Sequence, residues 1–222
     1  KIGDNFDQFY KNHLKFKLTN AQKRVIKEIR NDLGSGAQMN RLLQGDVGSG
    51  KTIVAFMAAL IAIGNGFQAC MMTPTEILSY QHYNKFKDIC KVLNINIKVL
   101  TGSSKTSYKK QLKESLKQGE INLLIGTHAL IYDSVEFENL GLAIIDEQHK
   151  FGVAQRSKLW HKNKFPPHIL IMTATPIPRT LAMSVYGDLD MSVIDELPPG
   201  RKYIKTFHQT QRDRLKLLDF LK

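Results

Sequence analysis

Short apolar runs alternate with longer amphipathic stretches along most of the chain. Val25, Ile26, Ile29 and Leu33 fall at helical spacing and predict a helix over 21–33. Leu42 and Leu43 mark a short buried strand over 41–44, and 52–63 reads as an apolar helix that stops at Gly64-Asn65-Gly66. The same rhythm predicts strands over 68–72, 97–100, 121–125, 142–145 and 168–172, and helices over 75–93, 105–118 and 179–186. Strands and helices alternating in this way predict an α/β fold, with a central, mostly parallel sheet and helices on both faces. The pattern changes at Asp195-Glu196-Leu197-Pro198-Pro199-Gly200-Arg201, a stiff, turn-prone segment that reads as a linker. A strand over 203–207 and a helix over 211–221 cannot make a core by themselves, so they read as the opening of a second domain. The expected division is a lead-in from a preceding domain at 1–17, a main domain at 18–194, the linker at 195–201 and the start of the second domain at 202–222.

Composition narrows this picture. The chain has 222 residues, 42% of them hydrophobic, enough for one large domain with a sizeable core. No apolar run approaches the roughly 18 residues that would predict a membrane span. Lys1-Ile2-Gly3-Asp4 offers neither an initiator Met nor a signal core, so the chain reads as a piece of something longer. Cys70 and Cys90 sit inside apolar runs and read as buried thiols of a protein from a reducing cytoplasm. The His and Cys spacings give no zinc pattern. The net charge of +12 favours an anionic partner, nucleic acid first. Between Lys85 and Lys117 there are nine lysines against two acids, Asp88 and Glu114. For any one of those lysines a solvated helical face is an equal alternative, so charge alone does not establish the partner.

The chemistry is carried by two motifs. Gly45-Asp46-Val47-Gly48-Ser49-Gly50-Lys51-Thr52 fits the phosphate-loop pattern G-x-x-x-x-G-K-S/T in full, after a predicted strand and at the start of a predicted helix. The glycines let successive N–H groups turn toward phosphates, and the helix N-terminus adds partial positive charge. Lys51 would reach the β- and γ-phosphates of ATP, and the Thr52 hydroxyl would ligate Mg2+. About a hundred residues later, Leu142-Ala143-Ile144-Ile145-Asp146-Glu147 is an apolar strand ending in two acids. Asp146 is the candidate carboxylate for Mg2+, and Glu147 the candidate residue that orients and polarises the attacking water.

Around these motifs the chain resembles superfamily 2 helicases. Asp146-Glu147-Gln148-His149 resembles their DExH box, and Thr173-Ala174-Thr175-Pro176 their motif III. Leu18-Thr19-Asn20-Ala21-Gln22 resembles the Q motif, which places Gln22 at the adenine edge. Met72 to Leu78 is similar to motif Ia, and Leu100-Thr101-Gly102 and Gly126-Thr127-His128 are similar to later DNA-strand motifs. Within the superfamily the finer resemblance is to the RecG family, in Ile145 to Val153 with Gln155-Arg156, in Thr173 to Leu181, and in Asp188-Leu189-Asp190 followed by Leu197-Pro198-Pro199-Gly200-Arg201. Lys150 stands where that family often has Arg. The transcription-repair coupling translocase of the Mfd type shares some of these stretches, but Gln148 and the exit segment at 197–201 depart from its pattern.

The resemblance implies a RecA-like ATP-binding motor domain. It implies an ATP-dependent translocase or helicase on branched double-stranded DNA, working at stalled forks and Holliday junctions in recombination and repair. It also implies a monomer in the bacterial cytoplasm, associated with the nucleoid. The implied companions are a second RecA-like domain and a wedge domain of the same polypeptide, and a single-stranded DNA-binding protein. The arginine that would reach the γ-phosphate belongs to the second motor domain, so this chain alone is expected to hydrolyse ATP very slowly. Lys51, Asp146 and Glu147 are the catalytic candidates. His149 would report nucleotide state through Thr173 or Thr175, or would merely cap the strand end. Pro74, Thr75, Thr101, Gly102, Thr127 and His128 are the DNA candidates, because all follow predicted strands, at the edge where open parallel sheets bind ligands. Ordinary loop capping is the alternative, and Thr75 also makes a good helix N-cap. His82, His161 and His168 read as structural, and Phe151 and Trp160 as packing residues. Arg179 reads equally as a DNA or motif III contact and as a surface residue. Two other classes fit less well. A non-catalytic adaptor would not need Lys51, Thr52, Asp146 and Glu147 intact, and a metabolic kinase would not need the Q-motif and motif III stretches.

Overall fold

The structure, a computed structural model, describes residues 3–132, 134–146, 166–175 and 189–196, together with 210, 211, 218 and 220. In chain order its elements are α1 (Asp4–Gln8) with a π-helical turn at Phe9–His13, α2 (Asn20–Leu33), β1 (Asn40–Gly45), α3 (Lys51–Gly64), β2 (Gln68–Met72) and α4 (Glu76–Val92). There follow β3 (Ile97–Leu100), α5 (Thr106–Lys117), β4 (Leu123–Gly126), a 3-10 turn (His128–Ile131), β5 (Leu140–Asp146), β6 (His168–Thr173) and β7 (Asp190–Ile194). The strands form one sheet in the order β3-β4-β2-β5-β6-β1-β7, and its pairings are parallel.

Both faces of this sheet are covered, which is why its strands read as apolar runs rather than as alternating patterns. Leu43, Ala69, Met71, Leu142 and Ile144 face the cluster that contains α1 to α4. Leu42, Cys70, Met72, Ala143 and Ile145 face the cluster that contains Leu112 and Leu116 of α5. Side chains alternate between faces along a strand. Asp146 therefore shares the face of Leu142 and Ile144, on the side of α3 and α4.

The run Val54 to Ala62 of α3 is buried throughout. Its alanines let α3 lie close to the sheet while Phe56 and Met57 fill the space beside them. Phe56 stacks on Phe86 of α4, with ring centroids 4.0 Å apart, and takes Phe9 edge-on at 5.2 Å. Phe6 and Phe9 thus join the core, with Leu14 packed against it. Burial pushes the Cys90 thiol up to about 12, which makes it a packing group and not a nucleophile. Neither cysteine is disulfide-bonded.

β7 is a strand that the apolar pattern does not predict, because Ser192 interrupts it. Arg41, 8% exposed, explains the exception. Its guanidinium donates to Asp32 Oδ2 at 2.6 Å and to Ser192 Oγ at 2.8 Å, and Glu28 lies 3.6 Å away. Ser192 Oγ in turn donates to Glu28. The polar atoms of this edge are therefore satisfied between β1, β7 and α2. The predicted helix at 179–186 and the predicted strand at 203–207 lie outside the described residues, as do most of the linker and of 211–221. Among the described residues no helix is long and apolar enough to cross a membrane.

Candidate nucleotide-binding site

The phosphate loop runs from the C-terminal end of β1 to the first turn of α3. Gly48 and Gly50 adopt φ of 82° and 92°, the left-handed region that other residues enter only at a cost. Asp46, Val47 and Gly48 are exposed at the mouth, while Ser49 is buried beneath them. The Lys51 ammonium donates to the carbonyls of Gly45 and Asp46, at 2.5 and 3.0 Å, and so lies over the cradle. The Ser49 hydroxyl finds no hydrogen-bond partner among the described residues. A glycine-containing loop exposed at a helix N-terminus, with a lysine above it and an orphaned hydroxyl beneath, fits a polyphosphate.

Gln22 is tied to this loop more firmly than the Q-motif resemblance implies. It is 2% exposed. Its Oε1 accepts from Thr19 N–H at 3.0 Å and its own N–H donates to Thr19 Oγ1 at 3.2 Å, a reciprocal cap on α2. Its Nε2 donates to Ser49 O at 2.7 Å. One N–H and one lone pair of the carboxamide are not used by these bonds. A Cβ on Gly50 would stand 2.3 Å from Gln22 Nε2, at a φ already unfavourable for a side chain. Gly50→Ala is accordingly expected to cost about 1–3 kcal/mol of local strain and to displace Gln22 from Ser49. Isothermal titration with a non-hydrolysable ATP analogue should show weakened binding, whereas unaltered affinity would mean the loop relaxes freely.

Asp146 closes β5 beside Met172 of β6, and Thr173 of β6 lies beside Gln44 of β1. The ends of β5, β6 and β1 thus set Asp146, Thr173 and the phosphate loop along one edge. Thr173 Oγ1 and Thr175 Oγ1 are 2.8 Å apart, and Thr175 N–H donates to Thr173 Oγ1. Glu147 and His149 lie outside the described residues. The Thr52 hydroxyl and the Asp146 carboxylate are hard oxygen donors of the kind Mg2+ takes. Among the described residues no cluster of three His, Cys, Asp or Glu gathers as a metal centre.

One residue at this edge escaped the sequence reading. His82 Nε2 lies 3.0 Å from Asp146 Oδ2, with the two side chains 10% and 14% exposed. A carboxylate only accepts here, so the nitrogen donates. The clue available was positional: Ser79, His82, Phe86 and Cys90 form the buried stripe of α4, and a histidine in such a stripe needs a polar partner.

The loops after β2, β3 and β4 lie at the other end of the same edge. Pro74 is part-buried and Thr75, Gly102 and His128 are exposed, whereas Thr101 and Thr127 are buried. Thr75 Oγ1 accepts from Leu78 N–H at 3.3 Å and caps α4. Thr101 Oγ1 lies 3.2 Å from both Ser103 Oγ and Ser104 Oγ, so it shapes its own loop. The Thr127 hydroxyl is buried without a partner among the described residues. Glu76 accepts from the hydroxyl and the N–H of Ser103, which hold its carboxyl below the usual range.

Comparison with known proteins agrees with this geometry. The family model for DEAD/DEAH box helicases matches residues 19–184. The ATP-dependent DNA helicase RecG of Aquifex aeolicus is 57% identical over 205 residues, covering 91% of this chain and 26% of the relative. RecG of Bacillus subtilis is 55% identical over 194 residues, covering 87% of this chain and 28% of the relative. A solved structure of RecG bound to a three-way DNA junction superposes with a TM-score of 0.86 at 45% identity, over 100% of this chain and 30% of that one. The helicase domain of Pyrococcus furiosus Hef, 18% identical with a TM-score of 0.59 over 83% of this chain and 40% of that one, shares the fold. The chain spans between a quarter and a third of the length of these RecG relatives. The resemblance to RecG read from the motifs is borne out, and the transcription-coupling alternative is not favoured. A phosphate loop on β1, an acidic strand end on β5 and a matching family model over most of the chain lead to one conclusion: this chain belongs to the DEAD/DEAH box helicase family.

Proposed function

We propose that the chain is the first RecA-like motor domain, over 18–194, of an ATP-dependent translocase or helicase that acts on branched double-stranded DNA. Its companions in the same polypeptide are a wedge domain before it and a second RecA-like domain after the 195–201 linker. The observation that carries this reading is the layout of one sheet edge. The strands of the nucleotide site, β5, β6 and β1, are neighbours, and the strands whose loops resemble DNA motifs, β3, β4 and β2, are neighbours beside them. A motor needs both sites on one rigid body, and this sheet supplies it.

In this reading Lys51 neutralises the β- and γ-phosphates of ATP, Glu147 orients the attacking water, and Gln22 offers its remaining amide groups to adenine. Thr52 and Asp146 hold Mg2+, which supplies positive charge to the phosphate oxygens. His149 with Thr173 and Thr175 reports nucleotide state, and an arginine from the second domain completes the site. The loops at 74–75, 101–102 and 127–128 hold DNA phosphates without reading bases, with the hydroxyl of the exposed Thr75 as one donor. The protein acts as a monomer in the bacterial cytoplasm at the nucleoid, where a single-stranded DNA-binding protein is a fitting partner. The test is steady-state ATP hydrolysis by the full-length protein on forked and linear duplexes of equal length. The forked duplex is expected to give the higher turnover. Equal turnover on fork, on linear duplex and without DNA would sink the reading.

A further inference from the structure

The three candidate DNA loops converge on the first turns of α4. The loop after β2 is the start of α4 itself: Thr73 Oγ1 lies 2.6 Å from Ser79 Oγ, and Ser79 Oγ donates to Thr75 O at 3.3 Å. The loop after β3 is joined to it by Glu76, which accepts from Ser103. The loop after β4 is joined to it through Thr73, whose N–H donates to Gly126 O at 2.8 Å. Two turns further along α4, about 10 Å from Thr75 at the usual helical rise, His82 donates to Asp146. This contact crosses the seam between the two halves of the sheet. α4 follows β2, in the half that bears the DNA-like loops, and Asp146 ends β5, in the nucleotide half.

We propose that α4 is the element through which the DNA loops act on the nucleotide site, and that His82 is its positioning residue for Asp146. The inference rests on the functional reading given above. The Nε2 donor fixes Oδ2 of Asp146 and leaves Oδ1 and the second lone pair of Oδ2 for another ligand. A helix transmits a shift of its first turn along its length, and α4 is braced lower down by the Phe86 stack on Phe56 of α3. Seating phosphates on the three loops therefore sets where α4 holds its histidine, and with it the aim of the carboxylate. By linkage, a factor by which DNA alters MgATP affinity is the factor by which MgATP alters DNA affinity. This route runs through the described core and is separate from any role of His149.

The test uses the full-length protein with His82→Leu, His82→Gln and His82→Asn. Gln places an amide nitrogen near the position of Nε2, Asn does not reach it, and Leu keeps the volume without the donor. Two quantities are read by titrating a non-hydrolysable ATP analogue. The first is the ratio of its affinities with Mg2+ and with EDTA; the second is the change in its Mg2+-dependent affinity when forked duplex is added. For His82→Leu the Mg2+ ratio is expected to fall by about tenfold, the scale seen when a residue orienting a metal ligand is lost. The DNA-induced change is expected to vanish, affinity in EDTA to stay the same, and His82→Gln to restore most of both. If His82→Leu does not fold, the contrast between His82→Gln and His82→Asn decides the matter. Wild-type values in His82→Leu, or equal losses in His82→Gln and His82→Asn, overturn the inference. A wild-type protein that binds MgATP with no response to DNA overturns the functional reading, and the coupling with it.

Discussion

Lys51→Ala is expected to lower DNA-stimulated ATP turnover of the full-length protein by on the order of a hundredfold or more. The estimate follows from what one positive donor contributes to a developing anion in a sheltered site, about 10²–10³ in rate. The position also makes the loss hard to replace. The ammonium is held over the loop by the carbonyls of Gly45 and Asp46, and the neighbouring residues of the mouth, Asp46, Val47 and Gly48, bring no positive side chain. Lys51→Arg should recover little, because a planar fork does not occupy the place of a compact ammonium. Lys51 is only half-buried and starts a helix whose core lies deeper, so thermal stability should hardly change. Steady-state hydrolysis beside a melting curve separates the two effects. Turnover that survives Lys51→Ala would show that the phosphate loop is not where ATP is cleaved.

Phe56→Ala should produce the largest loss of stability among single core changes, about 3–5 kcal/mol. Phe56 is fully buried, stacked face to face on Phe86 and edge-on to Phe9, so truncation empties a space that three elements border. Aromatic pairing adds about 0.5–1.5 kcal/mol beyond the buried area. Against the roughly 5–15 kcal/mol typical of a domain, this is a fifth of the whole or more. The urea midpoint measures it directly, with the slope as a check that the unfolded state has not changed. A midpoint close to wild type would mean that α1, α3 and α4 collapse into the space at little cost.

How far the fold was legible follows from where each signal resides. The strands 68–72 and 97–100 were read with their observed limits, because a buried parallel strand writes itself as a bounded apolar run. The phosphate loop and Asp146 were legible for a similar reason: a strand end followed by glycines or acids is a local pattern. The features that were missed all depend on a distant partner. β7 hides behind Ser192, whose donor Arg41 is 151 residues away. The Thr19–Gln22 cap is local, but the bond from Gln22 to Ser49 spans 27 residues and appears only when α2 is laid beside the loop. His82 was read as structural because its partner, Asp146, is 64 residues off. Thr101 and Thr127 matched motifs by position, yet the turns of their loops bury both residues, whereas Thr75 is exposed.

The strand order has a consequence for how such a motor can be altered. β2, β3 and β4 with their loops are one unbroken stretch of sequence, 68–128, flanked on either side by strands of the other half of the sheet, β1 before it and β5 after it. The half of the edge proposed to touch DNA is thus a single cassette, cut in and out at two loops, while the half with the phosphate loop is assembled from what remains. A graft of that stretch from a relative exchanges the grip without opening the phosphate loop. The seams it must match are the β2–β5 pairing, with a histidine at position 82 to meet the carboxylate across it, and the stack of Phe86 on Phe56 of α3.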